Sequence, residues 1–183
     1  MELHNAIYRN DIKQVAKLIQ NGADVNAPGE GTWTPLLIAS KSGYVNAVVM
    51  LIHNGANVNA GDNAGWRPIH TACLHEHAEV VQTLITEGAD VNVLDKNGWS
   101  PLIAAIWVDN AKIFQMLIEA GADIFVNICN FRDKKMRPIK EARHRFFAAF
   151  LLTCKDKAVS QMFFDKPHFD ENVISVIFSL LRG

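Results

Sequence analysis

The sequence predicts an all-α solenoid of stacked helix-turn-helix units, and three observations support this prediction. Residues of four types recur in register every 33 positions: proline at 35, 68 and 101, glycine at 22, 55, 88 and 121, alanine at 6, 39, 72 and 105, and leucine at 18, 51, 84 and 117. Apolar residues recur at helical spacing between these markers, and turn-forming residues separate the helical stretches. Such self-similarity is typical of arrays in which each unit packs only against its neighbours.

The first helix of each unit has a recognisable start. Thr34 and Ser100 can cap a helix N-terminus with their hydroxyl groups. Pro35 and Pro101 follow at the first helical position, where a missing N–H costs nothing. The recurring alanines lie about one turn later, and their small side chains let two helices approach closely. We therefore expect a short helix to begin at each of these prolines.

The second helix follows after a turn. In "VVQTLI", residues 80–85, the apolar side chains Val80, Val81, Leu84 and Ile85 share one helical face. The glycine that comes next is suited to a left-handed C-terminus. The stretches "ADVN", "ANVN" and "ADVN" at 23, 56 and 89 then supply turn residues. Each unit is therefore predicted to be a short helix, a longer antiparallel helix and an extended, β-hairpin-like loop.

The regular pattern weakens toward the C-terminus. The interval from Pro101 to Pro138 is four residues longer than the repeat, so residues 127–136 are expected to lengthen a hairpin. The predicted divisions are an N-terminal capping repeat (1–30), three full repeats (31–60, 61–93 and 94–126), a degenerate fifth repeat (127–157) and a helical C-terminal segment (158–183). The last segment contains an amphipathic pattern, "FDENVISVIFSLL", which predicts either a cap helix or a docking helix.

The repeat resembles the ankyrin repeat, whose signature is Thr-Pro-Leu-His-x-Ala. The corresponding stretches are "TPLLIA" (34–39), "RPIHTA" (67–72), "SPLIAA" (100–105) and, more loosely, "RPIKEA" (137–142). His4 and His70 alone occupy the histidine position, and Arg67 lacks the capping hydroxyl. These departures bear on local rigidity rather than on the fold. The resemblance implies a noncatalytic module that binds a protein partner, such as an adaptor, scaffold or inhibitor.

The resemblance also implies which residues contact that partner. In this family, the hairpins and the ends of the first helices face the concave side and vary with the partner. The positions carried over to this sequence are Trp33, Asn63, Trp66, Lys96 and Trp99 from the hairpins, and Tyr8, Arg9, Lys41, Leu74, His75, Trp107 and Val108 from the helix ends. The same resemblance marks Asn26, Asn59 and Asn92 as a context similar to that of asparagines hydroxylated in ankyrin repeats.

Two interpretations of the tryptophans remain open. An exposed row of indole rings usually marks an interaction surface, and tryptophan is enriched at energetic hot spots. Alternatively, each ring packs along a neighbouring hairpin and stiffens the array. For the cluster of Trp99, Trp107, Val108 and Leu74 we favour the interaction surface, and we expect Trp107 to lie beside Trp99.

Other features suggest weaker alternatives. The segment 132–145 holds seven basic residues, including Arg132, Lys134, Lys135 and Arg137, which form either a solvated face or a patch that binds an anionic ligand. The C-terminal helix could recruit a second protein, and it faintly resembles the opening helix of an F-box, which recruits ubiquitin-ligase machinery. Such a two-ended adaptor could also be a bacterial or viral effector delivered into a host cell.

Composition excludes several classes of protein. The chain is 49% hydrophobic and 20% charged with a net charge of −1, so no overall pull toward nucleic acid or an anionic membrane is expected. Three widely spaced cysteines indicate reduced thiols in a cytoplasmic compartment. "HTACLHEH" (70–77) lacks metal-site spacing, and no catalytic motif is present. We therefore expect a monomer without metal, cofactor, enzymatic activity or membrane association.

Overall fold

A computed structural model describes residues 2–123, and these residues form eight α-helices and no β-strand. The helices are α1 (Glu2–Tyr8), α2 (Ile12–Gln20), α3 (Pro35–Ser42), α4 (Val45–His53), α5 (Pro68–Leu74), α6 (Ala78–Thr86), α7 (Pro101–Trp107) and α8 (Ala111–Glu119). A single 3₁₀ turn covers Glu30–Thr32. Each unit pairs a shorter first helix with a longer second one, which confirms the all-α solenoid predicted from the sequence.

The helix starts follow the predicted capping chemistry. The N–H of Leu37 donates to Thr34 Oγ1 at 3.3 Å, and the N–H of Ile103 donates to Ser100 Oγ at 3.2 Å. At α5, where Arg67 offers no hydroxyl, the N–H of Arg67 itself donates to His70 Nδ1 at 3.2 Å. A buried imidazole thus ties down a helix start that the sequence alone leaves without a cap.

The helices pack in two layers. The first helices α1, α3, α5 and α7 lie side by side, and each also packs against the second helix of its own unit. The second helices α2, α4, α6 and α8 form the other layer. Leu36, Ile69 and Leu102 lie at equivalent positions of α3, α5 and α7 and are almost completely buried. Because every unit contributes such residues, the core is continuous along the stack.

Asparagine side chains connect successive units. Asn59 Nδ2 donates to the carbonyl of Gly88 at 3.3 Å, and Asn59 Oδ1 accepts from the N–H of Asp90 at 2.9 Å. Asn26 and Asn92 make the equivalent pair of hydrogen bonds to their own next unit. Each amide therefore satisfies one backbone donor and one backbone acceptor one repeat further along the chain.

Several sequence-based predictions lie outside the described residues. These are the degenerate fifth repeat (127–157), the C-terminal segment (158–183) and the basic residues Arg132, Lys134, Lys135 and Arg137. None of the helices found between residues 2 and 123 is long and apolar enough to cross a membrane.

Candidate functional site: an aromatic surface across the repeats

Two rows of equivalent residues run across the described units. The hairpin row consists of Trp33, Trp66 and Trp99, one from each loop that precedes a first helix. The helix-end row consists of Tyr8, Lys41, Leu74 and Trp107, which lie in the last turns of α1, α3, α5 and α7. We refer to these seven residues together as the aromatic surface.

Side-chain contacts join the two rows within a unit. The Nζ of Lys41 lies 4.9 Å from the centroid of the Trp33 ring, in a cation–π arrangement. In the unit two repeats later, the rings of Trp99 and Trp107 lie 5.5 Å apart with an interplanar angle of 55°. These are equivalent pairs of positions, so the hairpin residue and the helix-end residue share one face of the unit. The sequence prediction that Trp107 lies beside Trp99 is confirmed.

Exposure differs between the rows. Trp107 keeps 49% of its surface accessible and Tyr8 keeps 60%, while Lys41 is also exposed. The three hairpin tryptophans and Leu74 are half-buried. Each hairpin indole is partly covered by a neighbouring side chain. Lys41 lies over Trp33, His70 contacts Trp66 and Trp107 contacts Trp99. Each ring nevertheless keeps part of its surface accessible to solvent.

The backbone of each hairpin is closed at its tryptophan. The carbonyl of Trp99 accepts from the N–H of Asp95 at 2.9 Å, and Asp95 Oδ1 in turn accepts from the N–H of Trp99 at 2.7 Å. Asp62 makes the same pair of hydrogen bonds with Trp66. In the unit before, Gly29 takes the place of the aspartate, and its N–H donates to the carbonyl of Trp33 at 2.8 Å. The indoles are therefore carried on fixed loops.

Two histidines reinforce these hairpins from the preceding unit. His70 Nε2 lies 3.0 Å from the carbonyl of Trp99, and His4 Nε2 lies 3.2 Å from the carbonyl of Trp33. His70 Nδ1 accepts from the N–H of Arg67, so the imidazole is neutral with its proton on Nε2. Burial lowers the pKa of His70 below the ordinary value, because the charged form is poorly solvated there. The position of His70 in the repeat signature does not by itself reveal this bridge to the next unit.

Neighbouring hairpins are also bonded to each other. The N–H of Asn63 donates to Thr32 Oγ1 at 2.8 Å, and the N–H of Lys96 donates to the carbonyl of Ala64 at 2.9 Å. Gly65 permits the second contact, because its φ is +83° and a Cβ there would come within 3.1 Å of the Lys96 nitrogen. Asn63 and Lys96, both predicted contact residues, have exposed side chains at these tips.

His77, the N-cap residue of α6, helps to hold the helix-end row. His77 Nε2 lies 2.9 Å from the carbonyl of Lys41, and its ring lies against Gly43, where a Cβ would be 2.6 Å from Nδ1. The ring of His77 stacks on that of His75 at 6.3 Å, and His75 itself is exposed. Among the remaining predicted positions, Arg9 is exposed and Val108 is half-buried. The last turn of α3 is therefore fixed by the next unit.

Two observations on the described residues concern reactive thiols and metal binding. Cys73 is fully buried, and burial raises the pKa of its thiol, which keeps it unreactive. Residues 2–123 contain no group of three or more histidine, cysteine, aspartate or glutamate side chains arranged to hold a metal ion. What this part of the chain does offer is an extended surface with accessible aromatic carbon.

Comparison with known families agrees with this architecture. A family model described as ankyrin repeats (3 copies) matches residues 58–128, and a second, described as ankyrin repeats (many copies), matches residues 3–52. No curated protein gives a significant match to the chain. Ankyrin repeats are in general protein–protein interaction modules and are typically noncatalytic. With its 33-residue units, capped helix pairs and closed hairpins, the chain belongs to the ankyrin-repeat family.

Proposed function

We propose that the chain is a noncatalytic protein-binding module and that its partner contacts the aromatic surface. The observation that carries this proposal is the pair formed by Trp99 and Trp107, whose rings lie 5.5 Å apart while Trp107 keeps 49% of its surface exposed. Large aromatic side chains on a fixed surface have little conformational entropy to lose on binding. They are the residue types most enriched at binding hot spots.

The exposure of Trp107 favours binding over a purely structural role. Its ring contacts Trp99, and an aromatic pair of this geometry contributes about 0.5–1.5 kcal/mol to stability. Half of the indole nevertheless remains in water, where it gains nothing from burial. Completing the burial of such a ring against a partner would release further apolar surface from water, at about 25 cal/mol per Å². Binding of a partner would therefore bury apolar surface of Trp107 that folding leaves exposed.

The proposal is tested by comparing Trp107→Ala with Leu94→Ala. Leu94 is a matched control because its side chain is also exposed, at 38%, but it belongs to neither row. We expect proteins captured from a cell lysate by the wild-type chain to be captured by Leu94→Ala and lost, or weakened by about tenfold or more, with Trp107→Ala. Capture that is equal for all three chains would contradict the proposal.

A second pair of variants separates the hairpin row from the helix-end row. Trp66→Ala and Trp99→Ala together remove two of the three hairpin indoles, and their folding is checked by far-ultraviolet circular dichroism. If the hairpins contribute contacts, this double variant loses the same captured proteins as Trp107→Ala while keeping its helical signal. A folded double variant that captures them normally would restrict the binding surface to the helix ends.

A further inference from the structure

The helix-end row changes chemistry along the array. The first two units contribute Tyr8 and Lys41 to this row, and Arg9 directly follows Tyr8; all three side chains are exposed. The next two units present Leu74 and Trp107 at the positions equivalent to Tyr8 and Lys41. Within the helix-end positions the first end therefore presents two cations and the other end is apolar, while the exposed Lys96 lies at the hairpin tip of the fourth unit.

The cations at the first end are not neutralised. Neither Arg9 nor Lys41 forms an ion pair with any residue between 2 and 123. The cation–π contact of Lys41 with Trp33 orients the ammonium group but leaves its charge in place. Residues 1–123 carry thirteen Asp or Glu and only seven Lys or Arg, so two cations at neighbouring helix ends stand out against an acidic background.

Exposed carboxylates lie near both ends of this row. Near Arg9 and Lys41 they are Glu30, on the hairpin of the second unit, and Asp11, in the turn after α1, whose Oδ1 already accepts from the N–H of Gln14 at 3.0 Å. In the third and fourth units two exposed acids, Glu76 and Asp109, lie in the turns that follow Leu74 and Trp107. Complementary potentials of this kind fix the register and orientation of a partner more than they raise its affinity.

We infer that the partner binds through an extended segment that carries a carboxylate at one end and a large apolar side chain at the other. The carboxylate lies over Lys41 and Arg9, and the apolar side chain packs on Trp107 and Leu74. This inference rests on the proposed function, because it assigns a partner chemistry to the same surface. It also gives the bound segment a single direction along the repeats.

The spacing of the two groups follows from the packing of the helices. The helices α3, α5 and α7 are successive neighbours, and packed helices lie roughly 8–10 Å apart. Lys41 and Trp107 lie in the last turns of α3 and α7, so they are separated by about two such steps, or roughly 16–20 Å. An extended segment advances about 3.3 Å per residue. The acid and the apolar anchor are therefore about five or six residues apart.

Selection from a phage-displayed library of random dodecapeptides on the full chain tests this chemistry. We expect the enriched peptides to share an Asp or Glu and a large apolar residue about five or six positions apart. The most enriched peptide is then synthesised, labelled, and titrated against purified variants by fluorescence anisotropy. A selection without enrichment, or with enriched peptides that lack the acidic position, would overturn the inference.

Charge-reversal variants test whether the acidic residue of the selected peptide contacts Lys41 and Arg9. Lys41→Glu and Arg9→Glu are each expected to weaken binding of that peptide by about three- to tenfold. Replacing its acidic residue by lysine should restore binding to these two variants. Lys13→Glu is the matched control, because Lys13 is exposed on α2 outside both rows and its reversal changes the net charge equally. An equal loss with Lys13→Glu, or no rescue by the lysine peptide, would refute the inference.

Trp107→Ala distinguishes failure of the inference from failure of the proposed function. If Trp107→Ala abolishes peptide binding while Lys41→Glu and Arg9→Glu do not affect it, the aromatic surface binds partners but the assigned acid is wrong. If none of these variants changes the dissociation constant, both the inference and the proposed function fail.

Discussion

Replacing His70 by leucine tests how the units are held together. The imidazole is completely buried, accepts from the N–H of Arg67 at 3.2 Å and lies 3.0 Å from the carbonyl of Trp99 in the next unit. Leucine is a fair substitute in size, and it already occupies the equivalent position at Leu37. His70→Leu therefore removes two hydrogen bonds and the ring contact with Trp66 while it keeps the site filled.

The expected loss of stability can be worked out from these contacts. Each hydrogen bond contributes a net 0.5–1.5 kcal/mol, so the two together contribute about 1–3 kcal/mol. The carbonyl of Trp99 keeps its bond from the N–H of Asp95 at 2.9 Å, and the leucine side chain gains from apolar burial. We therefore expect His70→Leu to lower the free energy of unfolding by about 1–2 kcal/mol at pH 7.5.

The loss of stability caused by His70→Leu should be smaller at acidic pH. Because burial lowers the pKa of His70 in the folded chain, the unfolded chain takes up a proton first as the pH falls below the ordinary value of about 6.5. Folding then loses up to about 1.4 kcal/mol per pH unit until the folded-state pKa is reached. Protonation would also place a second hydrogen on Nδ1, facing the N–H of Arg67. His70→Leu lacks this loss, so its deficit relative to the wild type should be smaller at pH 5.5 than at pH 7.5.

Urea unfolding followed by tryptophan fluorescence at pH 7.5 and pH 5.5 measures this difference. The remaining six histidines are common to both chains, so the comparison between wild type and variant isolates His70. A stability deficit that is equal at both pH values, or that grows in acid, would refute the argument that a buried neutral imidazole bridges the units.

Four further substitutions test other parts of the fold by the same urea measurement. Ser40→Ala should raise the free energy of unfolding by about 1 kcal/mol, because Ser40 is completely buried in α3 and its hydroxyl has no hydrogen-bond partner among the described residues. Ser100→Ala should lower the free energy of unfolding by about 1 kcal/mol, because it removes the cap of α7. Changes of the same sign in the two variants would contradict this reasoning. Glu76→Gly should stabilise the chain by up to about 1 kcal/mol, because Glu76 has a φ of +61° that glycine adopts without strain. The substitution also removes the hydrogen bond from Asn110, which opposes this gain. A destabilised variant would show that this hydrogen bond contributes more than the relief of strain. Asn59→Ala should cost about 1–2 kcal/mol through its two hydrogen bonds to the next unit, and an unchanged transition midpoint would show that these bonds add nothing.

Much of the fold follows from local rules that the sequence displays directly. Thr34 with Pro35 and Ser100 with Pro101 predict capped helix starts, and α3 and α7 begin at these prolines with the hydroxyls accepting from the backbone. The recurring glycines predict left-handed turns, and the φ angles at Gly55 and the three equivalent glycines lie between +83° and +89°. These features depend on residues close together in sequence, so a single pattern contains the information needed to place them.

The features that join the units were harder to predict. Several of these contacts connect residues 29 to 36 positions apart: the bridge from His70 to the carbonyl of Trp99, the bond from His77 to the carbonyl of Lys41 and the two bonds of Asn59. Their geometry depends on how one unit seats on the next, which periodicity alone does not specify. The regular recurrence of asparagine at 26, 59 and 92 was the one available signal of a bridge that repeats in each unit.

The positions of the aromatic side chains follow from the sequence more directly than their exposure does. The 33-residue period places one tryptophan at each of the three equivalent hairpin positions, and the structure pairs Trp99 with Trp107 as expected. The degree of burial depends on the side chain opposite each ring, which is Lys41 for Trp33 and Trp107 for Trp99. Because these partners differ between units, the hairpin tryptophans are half-buried while Trp107 keeps 49% of its surface exposed.

Acrylamide quenching of Trp107 tests the account of the aromatic surface most directly. In a chain that carries phenylalanine at positions 33, 66 and 99, Trp107 is the single emitter, and its quenching is measured with and without a saturating partner recovered by capture. We expect strong quenching and red-shifted emission in the free chain, followed by protection and a blue shift in the complex, because the exposed half of the indole becomes buried. Emission and quenching of Trp107 that stay unchanged at saturation would contradict the assignment of this surface to partner binding.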